Sequence, residues 1–302
     1  MDDQKKAYLY GLITVTLWST VATAFKVSLR YMHPSQLVFY ASLTSIAVLG
    51  LILLIQGKAG LVFSCSRAQY VLSLRQGMMN PFLYYLILFK AYDLLPAQVA
   101  QPLNYTWAIT LAFLSIPLLR QQIGLRDITA GLICYCGVVI ISTRGTLVDF
   151  LSFNTMGVGL ALASTVIWSL YWIFNTKDDR DPVASLFLSF LMGLPFTFIA
   201  CLFTSGLHPA DVRGLLGAAY IGTFEMGITF VFWLNALKLS ANTARVGNLI
   251  FLSPFLSLIF IHFIVGEHIY ASTFTGLIFI VTGLMVQSYG SRNRTGRQAV
   301  SP

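Results

Sequence analysis

Glu225 is the only acidic residue that we place deep inside a long apolar segment, so it is the first candidate for chemistry. An ionised side chain at a bilayer centre costs about 2.5–3.5 kcal/mol, if the range for Asp, Lys and Arg also holds for Glu. Glu225 must therefore face the protein interior or a water-filled cavity. There it could bind a substrate ammonium group, or take up and release a proton during a cycle. A protonated Glu225 that only hydrogen-bonds a neighbouring helix is the alternative.

Two tryptophans, Trp18 and Trp168, lie near the middle of their apolar segments, although tryptophan in membranes prefers the interface. Polar and aromatic residues recur around both at helical spacing, with Tyr171 beside Trp168. Such stripes predict the aromatic walls of a small-molecule cavity that also offers a few polar groups. Plain helix packing is the alternative for each tryptophan.

Amide side chains supply a third group of candidates. Gln101, Asn104 and Tyr105 share one broad helix face, and amides inside a span need partners, so this face should point inward. Whether it contacts substrate or joins helices stays open. Asn80 precedes Pro81, which removes a backbone hydrogen bond and predicts a kink. Asn80 would satisfy the freed carbonyl or line the cavity opposite Glu225.

The composition indicates that long apolar helices position these residues. The chain is 57% hydrophobic and 10% charged, whereas soluble domains carry about 25% charged residues. Apolar runs of about 20 residues are long enough to cross a bilayer. The net charge of +8 could indicate nucleic-acid binding, but the basic residues lie in short loops, where membrane topology explains them. We predict spans at 7–29, 35–56, 68–90, 96–118, 124–143, 157–175, 183–205, 214–237, 243–265 and 270–289.

The lysine and arginine distribution predicts the orientation of these ten spans. With the N-terminus inside, fourteen basic residues fall on inner segments and four on outer ones, which predicts that both termini are cytoplasmic. The first segment could instead be a signal peptide cut after Ala24. We favour an uncleaved span, because an equivalent segment surrounds Trp168, where a signal peptide cannot be. The outer four are Arg30, Lys90, Arg144 and Arg213.

The sequence pattern indicates an internal repeat, with one unit at 7–143 and a second at 157–289, followed by a basic cytoplasmic tail at 291–302. The offset from Asn80 to Glu225 is 225 − 80 = 145 residues, and His33-Pro34 and Asp181-Pro182 each open a second span. A unit with five spans must insert its second copy upside down. The predicted fold is therefore all-α and membrane-integral, with ten transmembrane helices in two inverted five-helix repeats. Such repeats are typical of secondary transporters with a site near the midplane.

The last two spans of the second copy carry a recognisable pattern: a proline-containing span, a Gly-Glu turn and a glycine-containing span. Its residues are Ser253-Pro254, Gly266-Glu267, Gly276 and Gly283. These features resemble the EamA-type members of the drug/metabolite transporter superfamily. The first copy departs from that pattern, because Gln121-Gln122 stands where Gly-Glu would be.

The resemblance implies transport of amino acids, other metabolites or drugs. A finer similarity to aromatic amino-acid exporters rests on the segments around Trp18, Trp168 and Asn104-Tyr105. We therefore expect a carrier that moves a small metabolite, with export of an amino acid or a related compound first and multidrug efflux second. Its site would consist of Trp18, Asn80, Gln101, Asn104, Tyr105, Trp168 and Tyr171, with Glu225 as the proton or cation coupling residue.

An intramembrane enzyme is the alternative from another class. The acidic segment from Asp178 to Asp181 could hold a metal and a diphosphate, but such enzymes need two clusters and the sequence has no second one. Lys177 and Arg180 also neutralise the one that is present. We expect that segment to be a solvated loop. A channel or a lipid-handling protein is a third possibility. The four cysteines show no metal-ligand spacing, and nucleotide and protease motifs are missing.

These patterns predict no enzyme activity, cofactor, metal site or nucleic-acid partner. The expected partners are a small-molecule substrate and the lipid bilayer, in a monomer or homodimer. The expected location is a bacterial-type inner membrane.

Overall fold

Helices account for nearly all of the secondary structure in the computed structural model, which describes residues 3–119, 125–143, 154–175, 178–208, 211–239 and 248–298. Short 3₁₀ turns cover Ala59–Val62 and Asn248–Leu252. The α-helices are α1 Asp3–Ser28, α2 Pro34–Ile55, α3 Arg67–Gly77, α4 Tyr84–Leu94, α5 Ala97–Tyr105, α6 Trp107–Leu119, α7 Leu125–Ser142, α8 Thr155–Asn175, α9 Pro182–Thr204, α10 Val212–Tyr220, α11 Ile228–Leu239, α12 Ser253–Phe260 and α13 Ala271–Gln298.

Several of these helices are suited to a membrane by length and composition. Every predicted span falls on a helix or a run of helices, except that residue 124 of the fifth span and 243–247 of the ninth lie outside the described residues. Shorter apolar helices lie at Ile128–Ile141, Ser253–Val265 and Ala271–Val286. The helices long and apolar enough to cross a bilayer are Asp3–Ser28, Pro34–Ile55, Thr155–Asn175, Pro182–Thr204 and Val212–Trp233.

The second helix of each sequence copy begins in the same way. A proline occupies the first position of α2 and of α9, where its missing N–H would lack a helical partner in any case. The residue before it caps the helix: His33 accepts from Ser35 N, and Asp181 accepts from Val183 N and Ala184 N. The two landmarks of the sequence repeat therefore start corresponding helices.

The third helical run of each copy contains a π turn, at Met78–Leu83 between α3 and α4 and at Ile221–Glu225 between α10 and α11. In the first, Asn80 departs from helical geometry, with φ −143° and ψ 113°. The kink predicted at Asn80-Pro81 is confirmed, because Pro81 cannot continue the hydrogen-bond ladder. Asn80 and Glu225 therefore both lie in a π turn that interrupts the regular α-helix.

Two glycines at the predicted offset, 222 − 77 = 145, let these runs approach a helix of the other copy. A Cβ on Gly77 would lie 2.1 Å from the Ser189 carbonyl oxygen of α9. A Cβ on Gly222 would lie 2.3 Å from the Ala41 carbonyl oxygen of α2. The third helical run of each copy therefore packs by backbone contact on the second helix of the other copy.

The expectation of a solvated loop at 178–181 holds for Asp179, which is exposed, but is wrong for the side chains of Asp178 and Arg180. The side chains of Asp178 and Arg180 are only 3% and 8% exposed, and the Arg180 Nη2 atom lies 2.7 Å from Asp178 Oδ2. Arg180 also donates to Ser73 Oγ of α3 at 2.8 Å. These two side chains are buried because α3, which packs against α9, lies beside them and bonds Arg180. Burial opposes ionisation, yet hydrogen bonds from Arg180 and Ser185 lower the pKa of Asp178 to about 2.

Lys26 is tied to backbone. Its Nζ donates to the carbonyls of Tyr92 and Leu95, at 2.7 and 2.8 Å, and so caps the end of α4. A lysine near the end of a span ordinarily extends its ammonium group to solvent. Lys26 bonds these carbonyls instead, because α4 ends beside it.

Candidate functional site

An aromatic cluster surrounds Trp168 of α8. Its indole stacks on the Tyr84 ring of α4 at 4.4 Å between centroids and on the Tyr171 ring at 5.5 Å. The Trp172 ring meets it edge-on at 5.8 Å. Trp168 is 8% exposed, so most of its surface is already occupied by protein. Little of its surface is thus available for contact with a ligand.

Phe230 of α11 connects the two tryptophans of the sequence analysis. Its ring centroid lies 6.1 Å from that of Trp18 and 6.3 Å from that of Trp168. Trp18 also contacts Trp233 at 5.6 Å and is half-buried, so its ring keeps more free surface than that of Trp168. Trp18 and Trp168 are 150 residues apart in the sequence (168 − 18 = 150), yet the structure brings both into contact with the ring of Phe230.

The carboxyl group of Glu225 reaches this cluster through Tyr85. The Tyr85 hydroxyl donates to Glu225 Oε1 at 3.1 Å, and the Tyr85 ring packs on Tyr84 at 4.8 Å between centroids. Tyr85 is fully buried, while Glu225 retains partial exposure at the π turn. A carboxyl group with one phenol donor and a neighbouring aromatic wall can bind an organic cation or hold an exchangeable proton.

The residues around this hydrogen bond are arranged unequally between the copies. Asn80 corresponds to Glu225 and Tyr85 corresponds to Phe230, because 230 − 85 is also 145. The first copy thus carries an amide and a phenol, and the second carries a carboxyl group and a phenyl ring. The hydrogen bond joins the phenol of one copy to the carboxyl group of the other.

Asn80 is fully buried, and neither its amide nitrogen nor its amide oxygen has a hydrogen-bond partner among the described residues. Its side chain lies against the Tyr171 hydroxyl without forming a bond of standard geometry. An unpaired buried amide needs a reason, and water or a ligand is an ordinary one. Asn80 therefore lies against Tyr171 of the aromatic cluster, with the hydrogen-bonding capacity of its amide unused.

The amide face of α5 divides between two surroundings. Asn104 joins helices: its Nδ2 donates to Ser164 Oγ at 3.0 Å, and its Oδ1 accepts from the Tyr84 hydroxyl at 3.4 Å. Tyr105 lies against Ser253 at the start of α12. Gln101 is buried with an unpaired Oε1 atom. Asn104 thus contacts the aromatic cluster, whereas Tyr105 contacts α12.

Three residues of the site were missed by sequence reasoning: Tyr84, Tyr85 and Phe230. Aromatic residues are too frequent in membrane helices to be singled out by type. The offset of 145 residues offered a signal, since it places Phe230 at the position of Tyr85. Among the described residues, no group of three His, Cys, Asp or Glu side chains could hold a metal ion.

Comparison with known proteins identifies the class. The EamA-like transporter family matches residues 5–143 and again 155–289, so the chain belongs to that family. Together with its apolar helices, this makes the chain a multi-pass membrane protein. The resemblance noted in the sequence is confirmed.

Individual relatives are more distant. An uncharacterised transporter of Clostridium kluyveri is 25% identical over 59% of this chain and 58% of its own length. The aromatic amino acid exporter YddG of Ancylobacter novellus is 24% identical over 84% of this chain and 87% of its own. A crystal structure that covers 96% of this chain and 98% of its own, at 21% identity, superposes with a TM-score of 0.67 and shows the same fold.

Proposed function

We propose that this protein is a secondary transporter that moves a small metabolite by alternating access between two inverted five-span halves. The doubled family match supports the two halves. The corresponding helix starts, π turns and glycine contacts support their common design. In this proposal ten helices cross an inner membrane, and both termini lie in the cytoplasm, as the basic residues favour.

The observation that carries the proposal is the hydrogen bond from Tyr85 to Glu225. It links a residue of the first half to the one deep acidic residue of the second half. A relative movement of the halves would break or remake this bond and so change the proton affinity of the carboxyl group. Glu225 therefore serves as the proton or cation coupling residue, with Trp18, Asn80, Trp168 and Tyr171 around the substrate.

An amino acid or a related compound is the first candidate substrate, and export is the proposed direction. The unpaired Asn80 amide can donate a hydrogen bond to a carboxylate or carbonyl group. The Glu225 carboxylate can accept a hydrogen bond from an ammonium group. A relative bears the name of an aromatic amino acid exporter, which supports this choice. Gln101 and Tyr105 are proposed to line the substrate path on the α12 side. Multidrug efflux is the second candidate, because aromatic walls and one carboxyl group also suit amphipathic cations.

Counterflow of labelled small molecules into proteoliposomes, with and without a pH gradient, tests this function. The wild-type protein should accumulate at least one labelled amino acid or amphipathic amine, and Glu225→Gln should abolish that transport or make it independent of pH. Tyr85→Phe keeps the carboxyl group but removes its donor, so it should shift the pH profile of transport.

Asp211→Asn is the control, since it neutralises a carboxylate that caps α10 through Arg213 N and lies outside both the aromatic cluster and α5. That variant should transport with the wild-type pH dependence. Wild-type transport with unchanged pH dependence in Glu225→Gln would show that Glu225 does not couple. Absence of counterflow for every tested amino acid and amine would contradict the proposed substrates.

A further inference from the structure

A second group of buried polar atoms lies between α1, α5 and α12, outside the aromatic cluster. Thr23 Oγ1, Gln101 Oε1 and Ser257 Oγ each lack a hydrogen-bond partner among the described residues. Their residues are 5%, 3% and 0% exposed. Each such atom loses its hydration without a replacement, at a cost of about 1–3 kcal/mol. Because the three atoms lie in neighbouring helices, one bound ligand, such as an ion or a water, could satisfy all of them.

Contacts at two levels show that α1 and α12 run side by side in the same direction. Ser19 Oγ lies 3.4 Å from Ser253 Oγ. Beyond the helix ends, Arg30 donates to the Val265 carbonyl at 2.7 Å. The steps between these contacts are nearly equal, 30 − 19 = 11 residues and 265 − 253 = 12. Each helix therefore advances past the other at the same rate.

Thr23 and Ser257 each follow a contacting serine by four residues, which is about one helical turn. Since the helices are parallel and in step, their side chains lie at the same level and on the faces that already meet at Ser19 and Ser253.

The helix α5 runs in the opposite direction along the same neighbour. Tyr105 lies against Ser253, while the Ala97 N–H at the other end donates to Glu267 Oε1 at 2.8 Å. Gln101 precedes Tyr105 by four residues, so it lies one turn from the Ser253 level, on the side of Ser257. Three helices thus carry the three unpaired oxygens to one level of the bundle.

We propose that Thr23, Gln101 and Ser257 form a binding site for a sodium ion. All three groups are neutral oxygen donors, the ligand type that hard cations take. The amide oxygen of Gln101 only accepts, and both hydroxyl groups can turn lone pairs to a common centre.

A nearby positive charge does not oppose this assignment. Lys26, three residues beyond Thr23 on α1, is the closest described basic residue along that helix. Its ammonium group is held by the carbonyls of Tyr92 and Leu95, and it interacts with the carboxylate of Glu267. That carboxylate balances the charge at this end of the site.

Thermal unfolding of the purified full-length protein in detergent tests the site without any substrate. Melting is compared in NaCl, KCl and choline chloride at equal ionic strength. A cation that binds only the folded protein raises the melting temperature, by about 3 °C once its concentration exceeds its dissociation constant about tenfold. We expect this rise in NaCl alone, together with saturable binding of labelled sodium.

Thr23→Val and Ser257→Ala should each remove the sodium-specific rise and the labelled-sodium binding. The matched controls are Thr14→Val and Ser42→Ala, whose hydroxyls bond carbonyls of their own helices at 2.9 and 2.7 Å. These controls should keep the rise. The readout is the difference between salts within each variant, so a general loss of stability does not imitate it.

Equal melting in the three salts would overturn the proposal and leave a buried water as the occupant. A sodium-specific rise that persists in both Thr23→Val and Ser257→Ala would overturn it as well. Neither result depends on transport, so failure of this site is distinguishable from failure of the proposed function. The inference adds a site to that function and does not require it.

Discussion

Replacing Asp178 by Asn should destabilise the protein more than replacing Asp178 and Arg180 together. The single substitution leaves the Arg180 guanidinium buried without its carboxylate, at 8% exposure. Removing one partner of a buried pair costs about 3–5 kcal/mol. Arg180 keeps its bonds to Ser73 Oγ and to the Gln69 carbonyl, so the lower limit, about 3 kcal/mol, is the appropriate value.

Thermal unfolding in detergent measures this loss. For a protein of this size, each 1 kcal/mol corresponds to a shift of about 2–4 °C, so Asp178→Asn should melt about 6–12 °C below the wild type. The double variant Asp178→Asn/Arg180→Met removes both charges and should recover at least half of that difference. Buried pairs can often be replaced by apolar side chains with little cost, which is the reason for this recovery.

Lys58→Met is the control, because the Lys58–Asp181 pair at 2.7 Å is formed by a lysine that is 44% exposed. An exposed pair contributes about 0–1 kcal/mol, so its loss should lower the melting temperature by less than 4 °C. The reasoning is refuted if the double variant melts as low as the single variant. In that case lost hydrogen bonds, and not an uncompensated charge, would account for the effect.

Two further predictions concern packing and pH. Gly77→Ala and Gly222→Ala should each cost about 1–3 kcal/mol in unfolding experiments, because the added methyl meets backbone, whereas Gly159→Ala, with open space around it, should cost far less. Equal melting of all three variants would contradict the backbone contacts. Burial raises the pKa of Asp178, but the hydrogen bonds from Arg180 outweigh burial and lower that pKa to about 2, against about 3.9 for an unfolded aspartate. The stability from this pair should therefore be complete above about pH 4 and disappear as the pH falls towards 2, and a pH-dependent loss between 5 and 8 that Asp178→Asn removes would contradict this sign.

Much of the architecture could be predicted because lipid restricts the choice of structure. A long apolar run that crosses a bilayer must be helical, so composition alone locates the helices. Pro34 and Pro182 fixed two helix starts, and Pro81 predicted the kink at Asn80. These features depend on local chemistry, which a sequence carries directly.

Contacts between distant helices could not be predicted in the same way. The bond from Tyr85 to Glu225 depends on how two helices of different halves face each other, and no periodicity within either helix reports that. The same limit explains the error at Asp178. Its alternating charges are typical of a solvated loop, but their burial is decided by α3, about a hundred residues earlier in the chain.

The glycine contact between α3 and α9 has a consequence for how the chain is made. Gly77 fits against Ser189 and Gly193, which are translated more than a hundred residues later, since 193 − 77 = 116. The ribosome therefore releases α3 before α9 has been synthesised. Until then, the glycine face of α3 has no helix of the other copy to pack against. By contrast, Gly222 meets Ala41, which is already in the membrane when the π turn at Ile221–Glu225 is synthesised. The first half is thus completed by the second during biosynthesis, and a truncated chain of residues 1–143 lacks the surface on which its own third helix rests.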